Sequence, residues 1–397
     1  MPEIDLIRKN GLISAIDIAC RQLELTEHQY EEARKRYTRI ADYLADTDDP
    51  LFAGVEIRTQ GSVRLRTTVR PVGQEEFDVD LLCHLPAAKQ YIHDSDDIYQ
   101  RLGARLKESA VYERMCEPLK RCWRLQYADG ERFHMDITPS INNLLCTKGG
   151  ILVPDRNIND WEPSNPLGYA DAFDETSKKV PTFTAFRTMQ FAEAMAKAYI
   201  EPMPERMEST DLLRRLVQVS KRHRDLMFLD QENGFPPISI IITTLLMQAY
   251  EDAVLQPHET PWDFVLEVVR LMPYYIKKTQ TGPDSYKFDL PNPTTDGENF
   301  AERWNEDIQR ARDFWRWHQK LESDLTTLAS LQGEDRIREH LTSHITGPET
   351  GKAFSHRRDR IKASREQGRL IRLVGAGGLA VTNSRNTGAR PHTFFGD

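Results

Sequence analysis

The sequence predicts an α+β fold in two lobes, in which a mixed sheet with helices is followed by an α-helical lobe and a cleft lies between them. A chain of 397 residues is too long for one ordinary hydrophobic core and suits two. Strand and helix periodicities alternate over about the first 180 residues, whereas helical periodicity dominates beyond about Pro181. A cleft between two lobes is the usual position of a binding site, so we look for chemistry there.

The first lobe, residues 1–180, combines helices with the strands of a sheet. A long amphipathic helix with a threonine N-cap is predicted over Thr26–Leu44. The segment VEIRTQ indicates a short strand, FDVDLLCHL a buried strand, and Asp96–Glu113 a further helix. Two strand-like runs, CWRLQYA and RFHMDITP, flank Asp129-Gly130, a dipeptide typical of hairpins. Proline and asparagine residues in Val153–Pro166 predict a long connection out of the sheet.

The second lobe, residues 181–346, is predicted to be a helical bundle. Its helical segments lie near Phe183–Ala198, Asp211–Phe228, Ser239–Ala253, Trp262–Lys277 and Glu298–Leu331. Residues 347–397 are basic and rich in glycine, which predicts a weakly packed tail. Two aromatic residues close to its end suggest that this tail docks to a partner.

Bulk properties exclude several classes of protein. Hydrophobic residues make up 39% of the chain and charged residues 29%, the balance of an ordinary globular protein. The net charge of −8 disfavours binding to long nucleic acid, which depends on many lysine and arginine contacts to phosphate. The sequence lacks a long apolar run and a signal-peptide pattern, so we expect no membrane partner and a cytoplasmic location. Five cysteines without a CxxC pair indicate free thiols.

Three aspartates in strand-like segments carry the predicted chemistry. Asp78 and Asp80 alternate along one strand, so they point to the same face. Acids set among apolar neighbours repel each other and lose hydration, a cost that a divalent cation would offset. Asp136 lies in the second strand of the hairpin, and if the two strands are neighbours the three carboxylates converge. Oxygen ligands suit two Mg²⁺ (or Mn²⁺) ions, which can activate a hydroxyl and stabilise a departing pyrophosphate.

Gly61-Ser62, at the end of the short strand, supplies the second half of the predicted site. Glycine lets the backbone approach a phosphate closely, and the serine hydroxyl can donate a hydrogen bond to it. A Gly-Ser pair has little meaning by itself. Together with an acid-x-acid strand and a later strand acid, it becomes a specific pattern.

These residues resemble a known superfamily. Gln60-Gly61-Ser62, the Asp78-x-Asp80 pair and Asp136 match the polymerase-β-like nucleotidyltransferases. The stretches EPSNPLGY (162–169), VQVSKRHRD (217–225) and PIS (237–239) are similar to the bacterial cGAS/DncV-like nucleotidyltransferases of anti-phage CBASS systems. The similarity runs from the first long helix to about Leu331, which is most of the chain.

The resemblance implies a two-lobed enzyme that makes a cyclic di- or trinucleotide from nucleoside triphosphates, ATP among them. It implies that the three aspartates hold the metal ions and that Gln60, Gly61 and Ser62 form the phosphate-holding turn. Lys221 would reach the triphosphate and Ser239 would add a hydrogen bond to it, and a helix N-terminus favours the same negative charge. A CBASS regulatory partner, either a peptide-sensing protein or ubiquitin-like conjugation machinery, is implied as well.

Structural alternatives remain open for the site residues. Asp78 and Asp80 could form the solvated face of an edge strand, although their apolar neighbours favour burial. The run Lys221–Arg224 could be a solvated helix face. Ser239 could be a helix N-cap without any contact to substrate.

Three further residues near the predicted site have competing interpretations. Tyr169 could stack on a base or anchor its loop in the core. His134 is expected to play a supporting or core role rather than to bind metal. Ile240 follows Ser239, at a position where animal cGAS-like enzymes have an aromatic base-stacking residue, so base selectivity must come from elsewhere.

Two other functions use the same residues. One is nucleotidyl transfer to an RNA, a protein or a small-molecule acceptor, which the three acids cannot distinguish from cyclisation. The other is a non-catalytic nucleotide sensor that kept the fold and lost turnover. The retention of the three acids, Gly61, Ser62 and Lys221 disfavours the sensor.

Overall fold

A computed structural model describes residues 2–72, 77–91, 94–127, 133–184, 212–283, 285–351, 370–372 and 379–381. The α-helices of these residues are α1 (Pro2–Leu23), α2 (Glu27–Ala45), α3 (Gly61–Leu65), α4 (Ser95–Lys107), α5 (Ala110–Glu113), α6 (Pro166–Ser177), α7 (Leu212–Phe228), α8 (Ser239–Ala253), α9 (Pro261–Leu271), α10 (Glu302–Glu306), α11 (Ile308–Ser330) and α12 (Glu334–His340). The expected helix over Phe183–Ala198 lies almost wholly outside the described residues. The turn at Asp129-Gly130 and most of the tail lie outside them as well.

The first lobe is built on a mixed seven-stranded sheet, as the sequence predicts. Its strands are β1 (Glu56–Thr59), β2 (Phe77–His84), β3 (Cys116–Pro118), β4 (Trp123–Tyr127), β5 (Phe133–Asn142), β6 (Ile151–Asp155) and β7 (Asp160–Ser164). The order is β1-β2-β5-β4-β3, with β6 paired to β5 and β7 paired to β6. Only β2 and β5 run parallel to each other within this sheet. The two strands that carry the aspartates are therefore neighbours at the centre of the sheet.

Two hydrophobic cores divide the described residues. The core of the sheet includes Ile40, Leu44, Val79, Leu102 and Met135, contributed by β2, β5 and helices α2 and α4. The helical core includes Leu12, Phe173, Leu216, Ile242, Trp262 and Trp317. Helices α1 and α6 supply residues to the helical core. The N-terminal helix therefore packs with the second lobe, although it lies within residues 1–180, which the sequence analysis assigned to the first lobe. The boundaries 1–180, 181–346 and 347–397 stay a working prediction.

Several element boundaries differ from the sequence prediction. Helix α1 was not predicted, although Leu12, Ile16, Ala19 and Leu23 recur at helical spacing and are buried. The segment Val153–Pro166 is not a long connection, because it contains the antiparallel hairpin β6–β7. Its asparagine and aspartate residues form the tight turn of that hairpin, where the carboxylate of Asp155 accepts a hydrogen bond from the Asn157 N–H.

Three of the predicted helices are shorter than expected. The helix over Asp96–Glu113 breaks into α4 and α5, because Ser109 has extended backbone angles. Helix α9 ends at Leu271, where Met272–Tyr275 forms a 3₁₀ turn that contains a proline, followed by the hairpin β8 (Lys277–Gln280) and β9 (Tyr286–Asp289). The last long segment begins at Glu302 and is interrupted at Asp307, which caps α11. Tail residues Leu370–Arg372 (β10) and Leu379–Val381 (β11) pair as two short strands.

Two further expectations concern disulfide bonds and membrane-spanning helices. All five cysteines are free thiols, as their spacing predicts. Within the described ranges, no helix has the length and apolar character needed to cross a bilayer.

Candidate active site

The floor of the candidate site is one face of strand β2. Phe77, Val79 and Leu81 are buried on the core side of this strand, and its alternation turns Asp78 and Asp80 to the opposite face. Because β2 lies between β1 and β5, the edge-strand interpretation of the two acids is wrong. Asp78 is nevertheless exposed and Asp80 half-buried, so the acids line an open cleft rather than a closed interior.

Both acids face a cavity of about 320 Å³ between the sheet and the helical lobe, hereafter the catalytic cavity. Its walls come from the α3 turn, β2 and helices α7 and α8. The lining residues include Gly61, Ser62, Thr67, Thr68, Asp78, Asp80, Lys221, Arg224, Asp225, Ser239 and Thr243. Segments far apart in sequence thus place the predicted acids, the Gly-Ser turn and the lysine around one space.

Negative charge accumulates at Asp80. Burial, together with the charges of Asp78 and Asp136, raises the pKa of Asp80 to about 7, while Lys221 and Arg124 act in the opposite direction. Carboxylates crowded in this way favour a proton or a cation at the site.

The third acid, Asp136, has a different environment. It lies directly opposite Asp80 in the parallel β2–β5 register and opposite Arg124 in the antiparallel β4–β5 register. The Nε and Nη2 atoms of Arg124 donate to the two carboxylate oxygens of Asp136, each at 2.8 Å. This bidentate pair is the strongest form of arginine–carboxylate contact, and it uses one acceptor position on each oxygen.

The three acids are neighbours in the sheet. Asp136 lies opposite Asp80 in the strand register, and its charge acts on Asp80 together with that of Asp78. In the part of the chain that the structure describes, no three acidic, histidine or cysteine side chains form a group that could hold a metal ion, and Asp136 is paired with Arg124, so the shared metal site stays a prediction. Two carboxylates on one strand face and a third on the neighbouring strand are oxygen ligands that suit Mg²⁺ or Mn²⁺.

The Gly-Ser turn is held directly against the acids. Gly61 has a φ of +58°, and the Gln60 N–H donates to the Asp80 carbonyl oxygen at 2.9 Å. A Cβ atom at position 61 would overlap the Asp80 carboxylate. Glycine is thus required here both for its backbone angles and for the close approach of Asp80. The Gln60 side chain makes no capping hydrogen bond, so its expected part in nucleotide binding stays a prediction.

Lys221 approaches the catalytic cavity from helix α7. Its side chain is buried, and Nζ donates to the Thr67 carbonyl oxygen at 3.2 Å. Burial and the charge of Arg224 lower the pKa of Lys221 to about 8, against the attraction of Asp78, Asp225 and Asp80. The interpretation of the run 221–224 as a solvated helix face is wrong, because Lys221, Arg222 and His223 are buried.

Ser239 stands at the first turn of α8, where it contacts an arginine that the sequence analysis did not assign to the site. The N-cap of α8 is Ile238, so Ser239 is not an N-cap. Its Oγ accepts a hydrogen bond from Arg224 Nη1 at 3.1 Å, and the same Nη1 atom donates to the Pro237 carbonyl oxygen. Arg224 thereby brings a second cation to the cavity that contains Lys221.

The remaining candidates do not line the catalytic cavity. Tyr169 is buried, shares one hydrogen bond with Thr244 Oγ1 at 2.8 Å and meets Phe300 edge-on, so it anchors the core. It also lines a second cavity, which is described below. His134 lies beside Asp78 in the strand register but does not line the catalytic cavity. Thr67 and Asp225 also line this cavity. Asp225 ends the stretch VQVSKRHRD, but the sequence analysis did not assign it to the site.

Comparison with known proteins finds a match to a family model and a similar curated protein. The model of the Second Messenger Oligonucleotide or Dinucleotide Synthetase domain matches residues 13–176, which include the three aspartates and the Gly-Ser turn. A c-di-GMP synthase of Roseivirga ehrenbergii is 28% identical over 380 residues, covering 94% of each chain.

Solved structures of low sequence identity share the fold. The GTP complex of the CD-NTase CdnG of Bradyrhizobium diazoefficiens aligns with a TM-score of 0.61 at 18% identity, covering 88% of this chain and 99% of that one. CdnC of E. coli MS115-1 with ATP aligns with a TM-score of 0.56 at 12% identity, covering 85% and 98%. The DncV cyclic AMP-GMP synthase of Vibrio cholerae aligns with a TM-score of 0.50 at 16% identity, covering 89% and 90%.

Proposed function

We propose that this chain, whose residues 13–176 match the model of the Second Messenger Oligonucleotide or Dinucleotide Synthetase domain, is a nucleotidyltransferase that joins nucleoside triphosphates into a cyclic dinucleotide or trinucleotide. One observation carries the proposal. Asp78 and Asp80, the Gly61-Ser62 turn and Lys221 come from separate segments and line a single cavity. Acids for metal, a turn for phosphate and a buried cation are the three parts that nucleotidyl transfer requires.

Asp78, Asp80 and Asp136 would hold two Mg²⁺ (or Mn²⁺) ions. When bound, such ions lower the pKa of an attacking hydroxyl and neutralise the charge that builds on pyrophosphate. Asp78 and Asp80 face the catalytic cavity, whereas Asp136, beside Asp80 in the strand register, is also paired with Arg124. Concentrated negative charge at Asp80 supports this assignment.

The cations and hydroxyls opposite the acids would hold the triphosphate. The Ser62 and Ser239 hydroxyls and the Lys221 ammonium line the same cavity, so they can bind phosphate oxygens while the acids face the reacting centre. At neutral pH Lys221 retains most of its charge, since its pKa is lowered only to about 8. Fixed donors of this kind stabilise a leaving pyrophosphate without reorganisation.

The substrates and the biological setting follow from two sources. The sequence resemblance suggests ATP as one substrate, and the product of the relative from Roseivirga ehrenbergii suggests GTP. A role in CBASS anti-phage defence, with a peptide-sensing or ubiquitin-like conjugation partner, belongs to the same proposal. The tail 347–397, most of which lies outside the described residues, is the segment we assign to that partner.

A double variant tests the catalytic assignment. Asp78→Ala with Asp80→Ala is expected to lower pyrophosphate release from mixed nucleoside triphosphates and Mg²⁺ by at least about a hundredfold, since the metal-binding face of β2 is lost. The fold should persist, because both side chains face the cleft and not the core. Asp160→Asn, an exposed acid on β7, is the matched control. Release at the wild-type rate by the double variant would refute the site assignment.

The identity of the product separates cyclisation from acceptor transfer. Each labelled nucleoside triphosphate, and each pair of them, is incubated with the protein and the products are analysed by mass spectrometry. A compact product that resists phosphatase supports the proposed cyclic oligonucleotide. Label that appears only after an RNA or a protein acceptor is added would point to acceptor transfer instead.

A further inference from the structure

A second, larger cavity opens beside the catalytic cavity. Its volume is about 740 Å³, within the range typical of small-molecule sites. Gly61, Leu65 and Ile240 line both cavities. A nucleotide whose phosphates lie at the acids can therefore extend its sugar and base into this space, hereafter the base cavity.

The lining of the base cavity is mostly charged or polar, and Arg121, Glu162 and Glu298 belong to it. Apolar surface comes from Ile238, Ile240, Tyr169 and Phe300. Apolar surface can contact the face of a flat heterocycle, while fixed polar groups can hydrogen-bond its edge.

Glu298 is held firmly in place. Its Oε2 atom accepts a hydrogen bond from Asn292 Nδ2 at 2.7 Å. Asn292 is buried, and its own Oδ1 accepts from the N–H and the hydroxyl of Thr294 at 2.9 and 2.8 Å. The Thr294 carbonyl oxygen in turn accepts from Asn165 Nδ2 at the start of α6. A carboxylate supported in this way is positioned before any ligand arrives.

The other oxygen of this carboxylate is available. Over the described ranges, Asn292 is the one hydrogen-bond partner of the Glu298 side chain, which leaves Oε1 free to accept. Burial raises the pKa of Glu298, as does the nearby charge of Glu162, while Arg121 and the Asn292 amide lower it. A half-buried carboxylate with unused acceptor capacity gains from a ligand that offers N–H donors.

We propose that the base cavity binds a guanine base, with the Glu298 carboxylate accepting hydrogen bonds from N1–H and the exocyclic amino group. Guanine presents two adjacent donors on this edge. Adenine and cytosine each present one donor next to a ring-nitrogen acceptor, and this acceptor would face the lone pairs of the carboxylate. Uracil presents a single donor between two carbonyl groups, so a carbonyl would face them instead. The inference rests on the proposed function and assigns its base selectivity to one residue.

The size of the effect follows from the chemistry of buried polar groups. A site built to hydrogen-bond a ligand rejects an analogue that lacks the matching donors strongly, because the polar group of the protein then stays unpaired. The Ile240 and Phe300 surfaces contact any base and would not discriminate. Selectivity should therefore reside in the Glu298 edge.

Glu298→Gln tests the proposal with an isosteric change. Glutamine offers one acceptor and one donor, so it can no longer accept from both N1–H and the amino group of guanine, whereas it matches the amino group and N1 of adenine. Binding of the α,β-methylene analogues of GTP and ATP is measured by calorimetry with Mg²⁺, so the readout does not need turnover. We expect the wild type to bind the guanine analogue more tightly than the adenine analogue. In the variant, the ratio of the two affinities should fall at least about tenfold. Glu259→Gln, at an exposed carboxylate that lines neither cavity, should leave the preference unchanged.

Two results would overturn the inference: a wild type that prefers the adenine analogue or binds neither, or an unchanged preference in Glu298→Gln. Glu298→Asp serves as a second variant if the first does not fold. Aspartate keeps the charge, but its shorter side chain moves the carboxylate oxygens away from the base. It too should weaken the preference for guanine. Failure of the proposed function shows separately, as a wild type that binds nucleotide but forms no cyclic product under any nucleotide combination.

Discussion

At the scale of single residues, Gly61 illustrates how one position serves both conformation and chemistry. Its φ of +58° lies in the left-handed region, and its missing side chain leaves room for the Asp80 carboxylate. The sequence analysis assigned this glycine to close approach of a phosphate. The structure adds a second reason, which is that a metal-ligand candidate occupies the space where a Cβ atom would lie.

Gly61→Ala should therefore affect stability and activity together. We expect a loss of about 1–2 kcal/mol in the free energy of unfolding from the left-handed conformation, and a fall of at least about tenfold in pyrophosphate release because Asp80 is displaced. Urea unfolding and a pyrophosphate assay measure the two effects.

Gly11→Ala is the matched control for this substitution. Gly11 is exposed in α1 with open space around its Cα atom, so alanine there should raise stability by about 0.5–1 kcal/mol and leave activity unchanged. Equal activity of the two variants would contradict the role given to Gly61.

At the scale of elements, helix α7 connects the cleft to the helical core. Lys221 lines the catalytic cavity, whereas His223, two residues later, is buried and its Nε2 atom lies 3.0 Å from Asp324 Oδ2 on α11. Lys320 Nζ also donates to Asp324, at 2.6 Å. This contact joins α7 to α11 within the helical core, close in sequence to the lysine that lines the cavity.

The His223–Asp324 contact should make stability depend on pH. Burial lowers the pKa of His223 below its ordinary value, and Asp324 opposes this shift. As the pH falls below about 6.5, the histidine of the unfolded chain gains a proton before the native one does, so the free energy of unfolding decreases. His223→Gln cannot titrate and should be less stable than the wild type by about 1 kcal/mol at pH 7.5, with a smaller gap at pH 5.5.

Urea unfolding of both proteins at the two pH values measures that gap. A gap that is equal or larger at pH 5.5 would show that His223 is already charged in the native protein. His318, also on α11, has a pKa that burial lowers too, but it is present in both proteins and cancels in the difference.

At the scale of the whole molecule, the catalytic cavity lies between the two cores. The acids belong to the sheet, while Lys221 and Ser239 belong to helices of the second lobe. A triphosphate that contacts both sides would join them. Binding to the native state alone stabilises a protein by an amount that grows with the logarithm of ligand concentration.

GTP with Mg²⁺ is therefore expected to raise the melting temperature, with a stabilisation of about 2.7 kcal/mol when the nucleotide is at a hundred times its dissociation constant. GTP with EDTA, and GMP with Mg²⁺, should give smaller shifts, because one lacks the cation and the other lacks the groups that Lys221 and Ser239 would hold. Scanning fluorimetry measures all three. Equal shifts from GTP and GMP would argue against a triphosphate site in the catalytic cavity.

Local patterns in the sequence determined the elements that depend on local physics. The capping box of α2 at Thr26, the boundaries of α8, and the alternation that turns Asp78 and Asp80 to one face all follow from spacing and side-chain chemistry over a few residues. The sequence analysis left open whether β2 and β5 are neighbours, and the structure pairs them in parallel.

Tertiary structure alone decided which groups share a space. The Arg124 contact to Asp136, the approach of Lys221 to the catalytic cavity and the support of Glu298 by Asn292 depend on strand register and on loops packed against distant helices. Long-range contacts of this kind leave no periodic trace in the sequence. Residue type and spacing thus determined which metal-binding and phosphate-binding groups the chain contains. Packing determined which charged neighbours each carboxylate has, because those neighbours come from distant parts of the chain. A nearby opposite charge stabilises a carboxylate, whereas nearby like charges favour binding of a cation.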